Sequence, residues 1–265
     1  MNASPDPVLL EVSAEGIAVV TLNRPEKRNA FDELMIGGLR EIFETLKGAD
    51  HVRAVFLRGA GESFCAGADL DWMQRAAAYS QEDNETDALL LARMLQHLHD
   101  LPQLTVALVH GAAMGGGAGL VAACDLGVAL KDTKFRFSEV RLGLTPATIS
   151  PFVVAAIGAR WAKALFATAE GFDAAFAERI GLVQYAVDTA EELQAMMEHL
   201  SELALAAAPG AVADAKELVG YVAAHRIDDN LAKETAHRIA KRRVSAEGKE
   251  GLAAFLARRK PEWNA

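Results

Sequence analysis

Two turns built from small residues mark where this chain can do chemistry. One is Gly115-Gly116-Gly117, which follows His110 to Met114 and opens a small-residue segment running to Cys124. Glycine at all three positions removes every side chain, so a ligand atom can approach the main chain closely and be met by N–H groups. The first N–H groups of a helix have no partner within it and sit at the positive end of its dipole. Such a turn suits a developing negative oxygen, although tight packing of a helix on a sheet asks for the same glycines. The other turn, Ala66-Gly67-Ala68-Asp69, repeats the pattern upstream, with Gly67 and Ala68 exposing N–H groups where Asp69 would begin a helix. Two such turns can pinch one oxygen between two donors, and Glu139 stands directly after a strand further along.

Each turn must be delivered by a strand and received by a helix. The apolar run Leu104–Val109 reads as a buried strand, 117–124 as the helix behind the first turn, and 52–57 as the strand that delivers the second. Ahead of them, Val8–Val12 and Ile17–Leu22 are short apolar runs separated by Ala14-Glu15-Gly16, the pattern of a β-hairpin. Asp32 caps a predicted helix to Lys47, with Leu34, Leu39, Ile42, Phe43 and Leu46 at helical spacing. The loop before it carries Arg24, Lys27 and Arg28, and a solvated connection is the plain reading of such a loop. Residues 71–101 read as one helix of mixed polarity, acidic at Glu82, Asp83, Glu85 and Asp87, that can serve as a mobile cover over a site. Further strands are predicted at Leu126–Leu130, 134–137 and 182–187, while the Ala-rich remainder after residue 148 reads as four to six helices. The shift near residue 195 divides a β/α core, 1–195, from a helical module, 196–265.

An apolar share of 51% over 265 residues supports a sizeable buried core. A net charge of −9 argues against a general nucleic-acid or anionic-membrane surface, while leaving room for a local basic cluster on a phosphate. The basic end from Phe255 to Lys260 can reach such a phosphate or simply be a solvated helix end. Cys65 and Cys124 lack metal-ligand spacing, the N-terminus lacks a basic segment followed by an apolar one, and the apolar stretch 203–213 is interrupted by Pro209. The expectation is a cytoplasmic, disulfide-free protein with no metal site and no membrane contact. No G-x-S-x-G or H-E-x-x-H is present, and His110, at a strand end, reads as a packed, hydrogen-bonded residue. One rival pattern exists. Gly117-Ala118-Gly119-Leu120-Val121-Ala122 matches the dinucleotide fingerprint G-x-G-x-x-A, with Glu139 about where a ribose-binding acid belongs. It stands second, because residues 110–116 separate these glycines from the strand end and spoil the close turn that a pyrophosphate needs.

In chain order, Asn23-Arg24-Pro25 with Asn29-Ala30, Phe64-Cys65-Ala66-Gly67-Ala68-Asp69-Leu70, His110-Gly111 to Gly117, Cys124-Asp125, and Ser138-Glu139 to Pro146 resemble the enoyl-CoA hydratase/isomerase (crotonase) family. The resemblance implies an α/β fold of ββα turns wound as a spiral, with a C-terminal helical module that forms a homotrimer or a dimer of trimers. It also implies an acyl-CoA substrate, with coenzyme A carried by the substrate and no separate cofactor. The backbone N–H groups of Ala68 and Gly116 match the family's oxyanion hole, and Glu139 matches a glutamate that exchanges a proton with the substrate. Arg24, Lys27, Ala66, Asp69 and Leu70 are implied at the coenzyme A moiety. Phe255 and Lys260 are implied at its adenine end, from a neighbouring subunit.

The family's two-glutamate hydratases carry their other glutamate at the position of Gly119, so this chain departs from that pattern. Water addition needs one group to orient or deprotonate water and one to protonate carbon, and two carboxylates supply both. With Glu139 alone, three readings stay open: hydration with one carboxylate serving both steps, a double-bond shift by one proton, or acyl-CoA binding without turnover. Segments 68–73 and 138–151 resemble bacterial methylglutaconyl-CoA hydratases of leucine degradation. That likeness implies Trp72, Arg141 and Gly119 at the acyl chain, with Arg141 facing a distal carboxylate.

Overall fold

The computed structural model describes residues 6–264, and in it the chain begins as expected. Strands β1 (Val8–Val12) and β2 (Ile17–Leu22) form an antiparallel hairpin, closed by a turn in which Gly16 N–H donates to the Ser13 carbonyl at 3.0 Å. Helix α1 (Glu33–Lys47) starts at Asp32, whose carboxylate accepts from Met35 N–H at 2.9 Å. There follow β3 (Ala54–Gly59), α2 (Leu70–Ala76), α3 (Gln81–His99), β4 (Leu104–Val109), β5 (Ala112–Met114), α4 (Gly116–Ala123), β6 (Leu126–Leu130) and β7 (Lys134–Arg136). A 3-10 turn at Glu139–Leu142 leads into α5 (Ser150–Thr168), β8 (Phe172–Asp173), α6 (Ala174–Ile180) and β9 (Tyr185–Val187). The chain closes with α7 (Ala190–Ala206), α8 (Pro209–Ala223), α9 (Asp229–Val244) and α10 (Ala246–Leu256).

The strands build two sheets. The larger has the order β1-β2-β3-β4-β6-β9 and is parallel after the opening hairpin; the smaller has the order β5-β7-β8. Alternation along the parallel strands splits the core between the two faces of the large sheet. Val55, Leu57, Ala107 and Val109 join α1, α3 and α4 in the main core. Ala54, Phe56, Val106, Leu108 and Val128 pack instead against Leu200 and Ala204 of α7.

Several boundaries move. The expected helix at 71–101 is two helices, because the chain stops after Ala76 and Ser80 starts α3 afresh by accepting from Asp83 N–H at 3.1 Å. The fully buried residues of α3, Met94, Leu95 and Leu98, all lie in its C-terminal half. Leu34 faces solvent while Met35 and Ile36 are buried, so the apolar stripe of α1 is rotated from the expected one. Val52 lies in the turn before β3, and the strand expected at 182–187 shortens to β9 because Leu182 and Val183 pack in the turn after α6. Residue 195 falls inside α7, which packs against the back of the large sheet. Among the described residues six α-helices follow residue 148, and no helix is long and apolar enough to cross a membrane. Both cysteines are free, and burial pushes the Cys65 thiol up to about 12, which keeps it in its inert protonated form.

Candidate active site

The two small-residue turns lie against each other because the chain between β3 and α2 pairs on both of its sides. On one side Cys65 N–H donates to the Ala112 carbonyl and Met114 N–H to the Cys65 carbonyl, both at 2.9 Å, laying this segment beside β5. On the other, Phe31 N–H donates to the Gly67 carbonyl at 2.7 Å and Asp69 N–H to the Phe31 carbonyl at 2.8 Å. In that parallel bridge the flanking residues make the bonds, so the N–H of Ala68 itself points away from Phe31. Met114 and Gly67 touch: a Cβ on Gly67 would lie 3.0 Å from the Met114 carbonyl oxygen.

Helix α4 begins directly after Met114. Gly115 adopts φ 49° and ψ −116°, a conformation that side chains resist, and its N–H is held by the Arg136 carbonyl at 2.8 Å. The chain therefore turns from β5 into α4 within one residue. Among the described residues, neither the Ala68 N–H nor the Gly116 N–H donates a hydrogen bond.

Glu139 reaches the same place from the opposite direction. Phe135 and Phe137 bury the segment before it, and Leu144 N–H donates to the Glu139 carbonyl at 3.0 Å to close the turn. The carboxylate is delivered to the start of α4, where Oε1 lies 3.1 Å from the position a Cβ on Gly115 would take. Its other oxygen, Oε2, is buried and has no hydrogen-bond partner. Burial raises the proton affinity of this carboxyl above the ordinary glutamate range. A buried acceptor without a partner is costly to keep, which makes Glu139 a candidate functional residue. Two free N–H donors beside such a carboxyl can hold a negative oxygen while the carboxyl gives or takes a proton at a neighbouring atom.

A profile of the enoyl-CoA hydratase/isomerase family matches residues 13–265. The chain belongs to that family. A short-chain-enoyl-CoA hydratase of Clostridium acetobutylicum is 31% identical over 257 residues, covering 96% of both proteins. Among solved structures, a Legionella pneumophila protein described as an enoyl-CoA hydratase/isomerase (crotonase) is 44% identical with a TM-score of 0.92, covering 98% of this chain and 100% of that one. An enoyl-CoA hydratase from Shewanella pealeana is 38% identical with a TM-score of 0.93, covering 97% and 96%. The α/β architecture is thus the crotonase fold, and the chain is an enzyme of the hydratase/isomerase type.

Within this family member, the residues expected at the coenzyme A moiety divide into free and committed groups. Arg24 is committed: its guanidinium donates to the Ala30 carbonyl at 2.7 Å and pairs with Asp32 and Asp69, each at 3.0 Å. Asp69 is buried as the cap of α2, accepting from Asp71 and Trp72 N–H groups. Lys27 makes an exposed pair with Asp71 at 3.0 Å, Leu70 is exposed, and Ala66 is half-buried with its N–H on the Arg28 carbonyl. Phe255 and Lys260 are exposed at and beyond the end of α10.

Of the three residues expected at the acyl chain, two are buried. Trp72 is buried under α3, with its indole N–H on Asp87 at 3.3 Å, because the first turn of α2 packs inward. Burial raises the Asp87 carboxyl, against the lowering effect of that indole bond. Gly119 is buried inside α4, where Ile149 covers it, and so presents no surface to a ligand. Arg141 is exposed two residues beyond Glu139, with no ion pair among the described residues. The dinucleotide reading fails on the same helix: Gly117 packs on the Cys65 carbonyl and Gly119 on Ile149, so both glycines serve packing inside α4. His110 behaves as expected, with Nε2 and the Gly61 carbonyl 2.9 Å apart. Ile149 itself carries no sequence signal, since its role depends on a neighbour far away in the chain.

Proposed function

We propose that this enzyme adds water across the double bond of a 2-enoyl-CoA thioester, with Glu139 as general acid and base and the N–H groups of Ala68 and Gly116 as the oxyanion hole. The observation that carries this reading is the buried, unpartnered oxygen of Glu139 at the start of α4, beside two unused backbone donors. Glu139 takes a proton from water, whose oxygen bonds to C3. The π pair moves toward the thioester, whose oxygen takes the enolate charge between the two N–H groups. Collapse of the enolate then draws that proton from Glu139 onto C2. A single oxyanion donor is worth roughly 10²-fold or more in rate.

The substrate proposed is 3-methylglutaconyl-CoA, an intermediate of leucine degradation, with the exposed Arg141 holding its distal carboxylate. Phosphates of coenzyme A fall to Lys27 and Arg28, which remain solvent-exposed, rather than to Arg24. Ala66 and Leu70 complete that surface, and Phe255 and Lys260 approach the adenine end from a neighbouring subunit of a trimer or dimer of trimers. The buried state of Gly119 favours a second reading, a double-bond isomerase. There Glu139 alone removes a proton from C2 of a 3-enoyl-CoA and returns it to C4.

Ultraviolet absorbance of the conjugated enoyl thioester separates these readings. Purified protein is assayed with 3-methylglutaconyl-CoA, crotonyl-CoA and a 3-enoyl-CoA, each repeated with Glu139→Gln. Absorbance loss with the first substrate, reduced about 10²-fold or more in the variant, supports the hydratase. Absorbance gain with the 3-enoyl thioester alone makes it an isomerase, and coenzyme A binding without any change leaves only acyl-CoA binding. Arg141→Ala lowers the preference for methylglutaconyl-CoA over crotonyl-CoA; an unchanged ratio removes Arg141 from substrate selection.

A further inference from the structure

Gly119 lies one turn beyond Gly115 on α4, and its N–H donates to the Gly115 carbonyl at 3.0 Å. Residues four apart share a helix face, and each Cα–Cβ bond tilts toward the helix N-terminus. A side chain at 119 would therefore rise along the face on which the Glu139 carboxylate stands over Gly115. That space is filled. The Cγ2 of Ile149 lies 2.3 Å, and its Cβ 2.9 Å, from where a Cβ on residue 119 would sit.

Ile149 has little freedom to move aside. It is 1% exposed, belongs to the main core, and its carbonyl accepts from Val153 N–H at 3.1 Å in the first turn of α5. Its branch point is at Cβ, which restricts χ1, and the close atoms belong to the rigid root of the side chain. The single-carboxylate character of the site is thus written at two positions brought together from α4 and the start of α5.

We propose that Ile149 is the specificity-determining residue of the site: it fills with hydrocarbon the place beside Glu139 from which a second proton-transfer group at 119 would act. This deepens the hydratase reading and rests on it. Glu139 must handle every proton alone, and a second carboxylate becomes usable only when positions 119 and 149 change together.

Two arms test this. In the thermal arm, Gly119→Ala lowers Tm by about 3 °C or more beside Ile149 and by much less in an Ile149→Ala background, since overpacking is relieved there. Equal losses in both backgrounds overturn the contact, whatever the enzyme's activity. In the catalytic arm, Gly119→Glu alone gains nothing, while Gly119→Glu with Ile149→Ala hydrates crotonyl-CoA at least about tenfold faster than Ile149→Ala alone, the lower end of what a positioned acid or base supplies. A folded double variant with no gain, or an equal gain from either single variant, overturns the proposal. Failure of the unmodified enzyme to hydrate any enoyl-CoA counts against the hydratase reading and leaves the thermal arm decisive for Ile149. If the double variant does not fold, the Gly119→Ala cycle decides by itself.

Discussion

Glu139 keeps one carboxylate oxygen buried and unpartnered, so the group opposes folding whenever it is ionised. Burial raises its folded-state pKa above the unfolded value, and the sign of the pH dependence follows. Relative to an uncharged residue, the native protein loses stability as pH rises through the folded pKa, whereas below the ordinary glutamate value of about 4.3 no penalty remains. Glu139→Gln should therefore melt higher than the parent near pH 8, with the gap closing as pH is lowered toward that value. A gap that is constant with pH would show that the carboxylate finds a partner in solution. In the proposed hydration, which starts from ionised Glu139, the same raised affinity should place the acid limb of kcat/KM above the usual carboxylate range.

Among the elements, Arg24 does the work of a clamp. It pairs with Asp32 at the start of α1 and with Asp69 at the start of α2, so a single guanidinium fixes both helices that flank the Ala68 turn. The Asp69 side chain is 4% exposed; burial alone would raise its carboxyl, but the Asp71 and Trp72 N–H groups and Arg24 outweigh that and hold it below the usual range. Arg24→Met leaves this buried charge short of a partner and should cost about 3 kcal/mol by denaturant unfolding. Because the depressed Asp69 supplies stability that is lost as pH falls through its folded pKa, the difference should narrow in acid. A variant of normal stability with weakened coenzyme A binding would return Arg24 to the ligand surface. The resemblance implies Arg24 at coenzyme A and Trp72 at the acyl chain; their contacts with Asp69 and Asp87, 45 and 15 residues away, are meetings of separate segments that no local pattern shows. Local pattern does reveal the glycine turn and the runs at β4 and β6, since period and turn chemistry are short-range signals. The strands β5 and β8 are too short to show a period, and they exist through pairing with β7 and, for β5, also with the Cys65 segment. Ile149 over Gly119 is likewise a meeting of distant segments.

On the scale of the molecule, the C-terminal helices are tied inward yet leave apolar side chains facing outward. Arg53 donates to carbonyls at the end of α7, including Ala207, and to Trp263, while Lys216 of α8 meets Asp125 at 2.7 Å and the Leu101 and Gln103 carbonyls at 2.6 Å. The helical layer is thereby fastened to the sheet that carries the active-site turns. In α9 and α10, Ile239, Val244, Leu252, Phe255 and Leu256 are exposed, the last two at 80%. Large exposed apolar side chains gathered in a patch mark surfaces that another protein covers. Further copies of the chain, in the trimer or dimer of trimers proposed above, are the occupants, so light scattering should give a multiple of three chain masses. Phe255→Glu should shift that mass toward a single chain, because a charge at the covered position loses its solvation on assembly. Lys260→Ala should leave the mass unchanged and raise KM for a coenzyme A thioester with kcat nearly constant, since its proposed contact lies far from the reacting carbons. A monomeric parent protein would remove the assembly, and an unchanged KM would remove Lys260 from the nucleotide end.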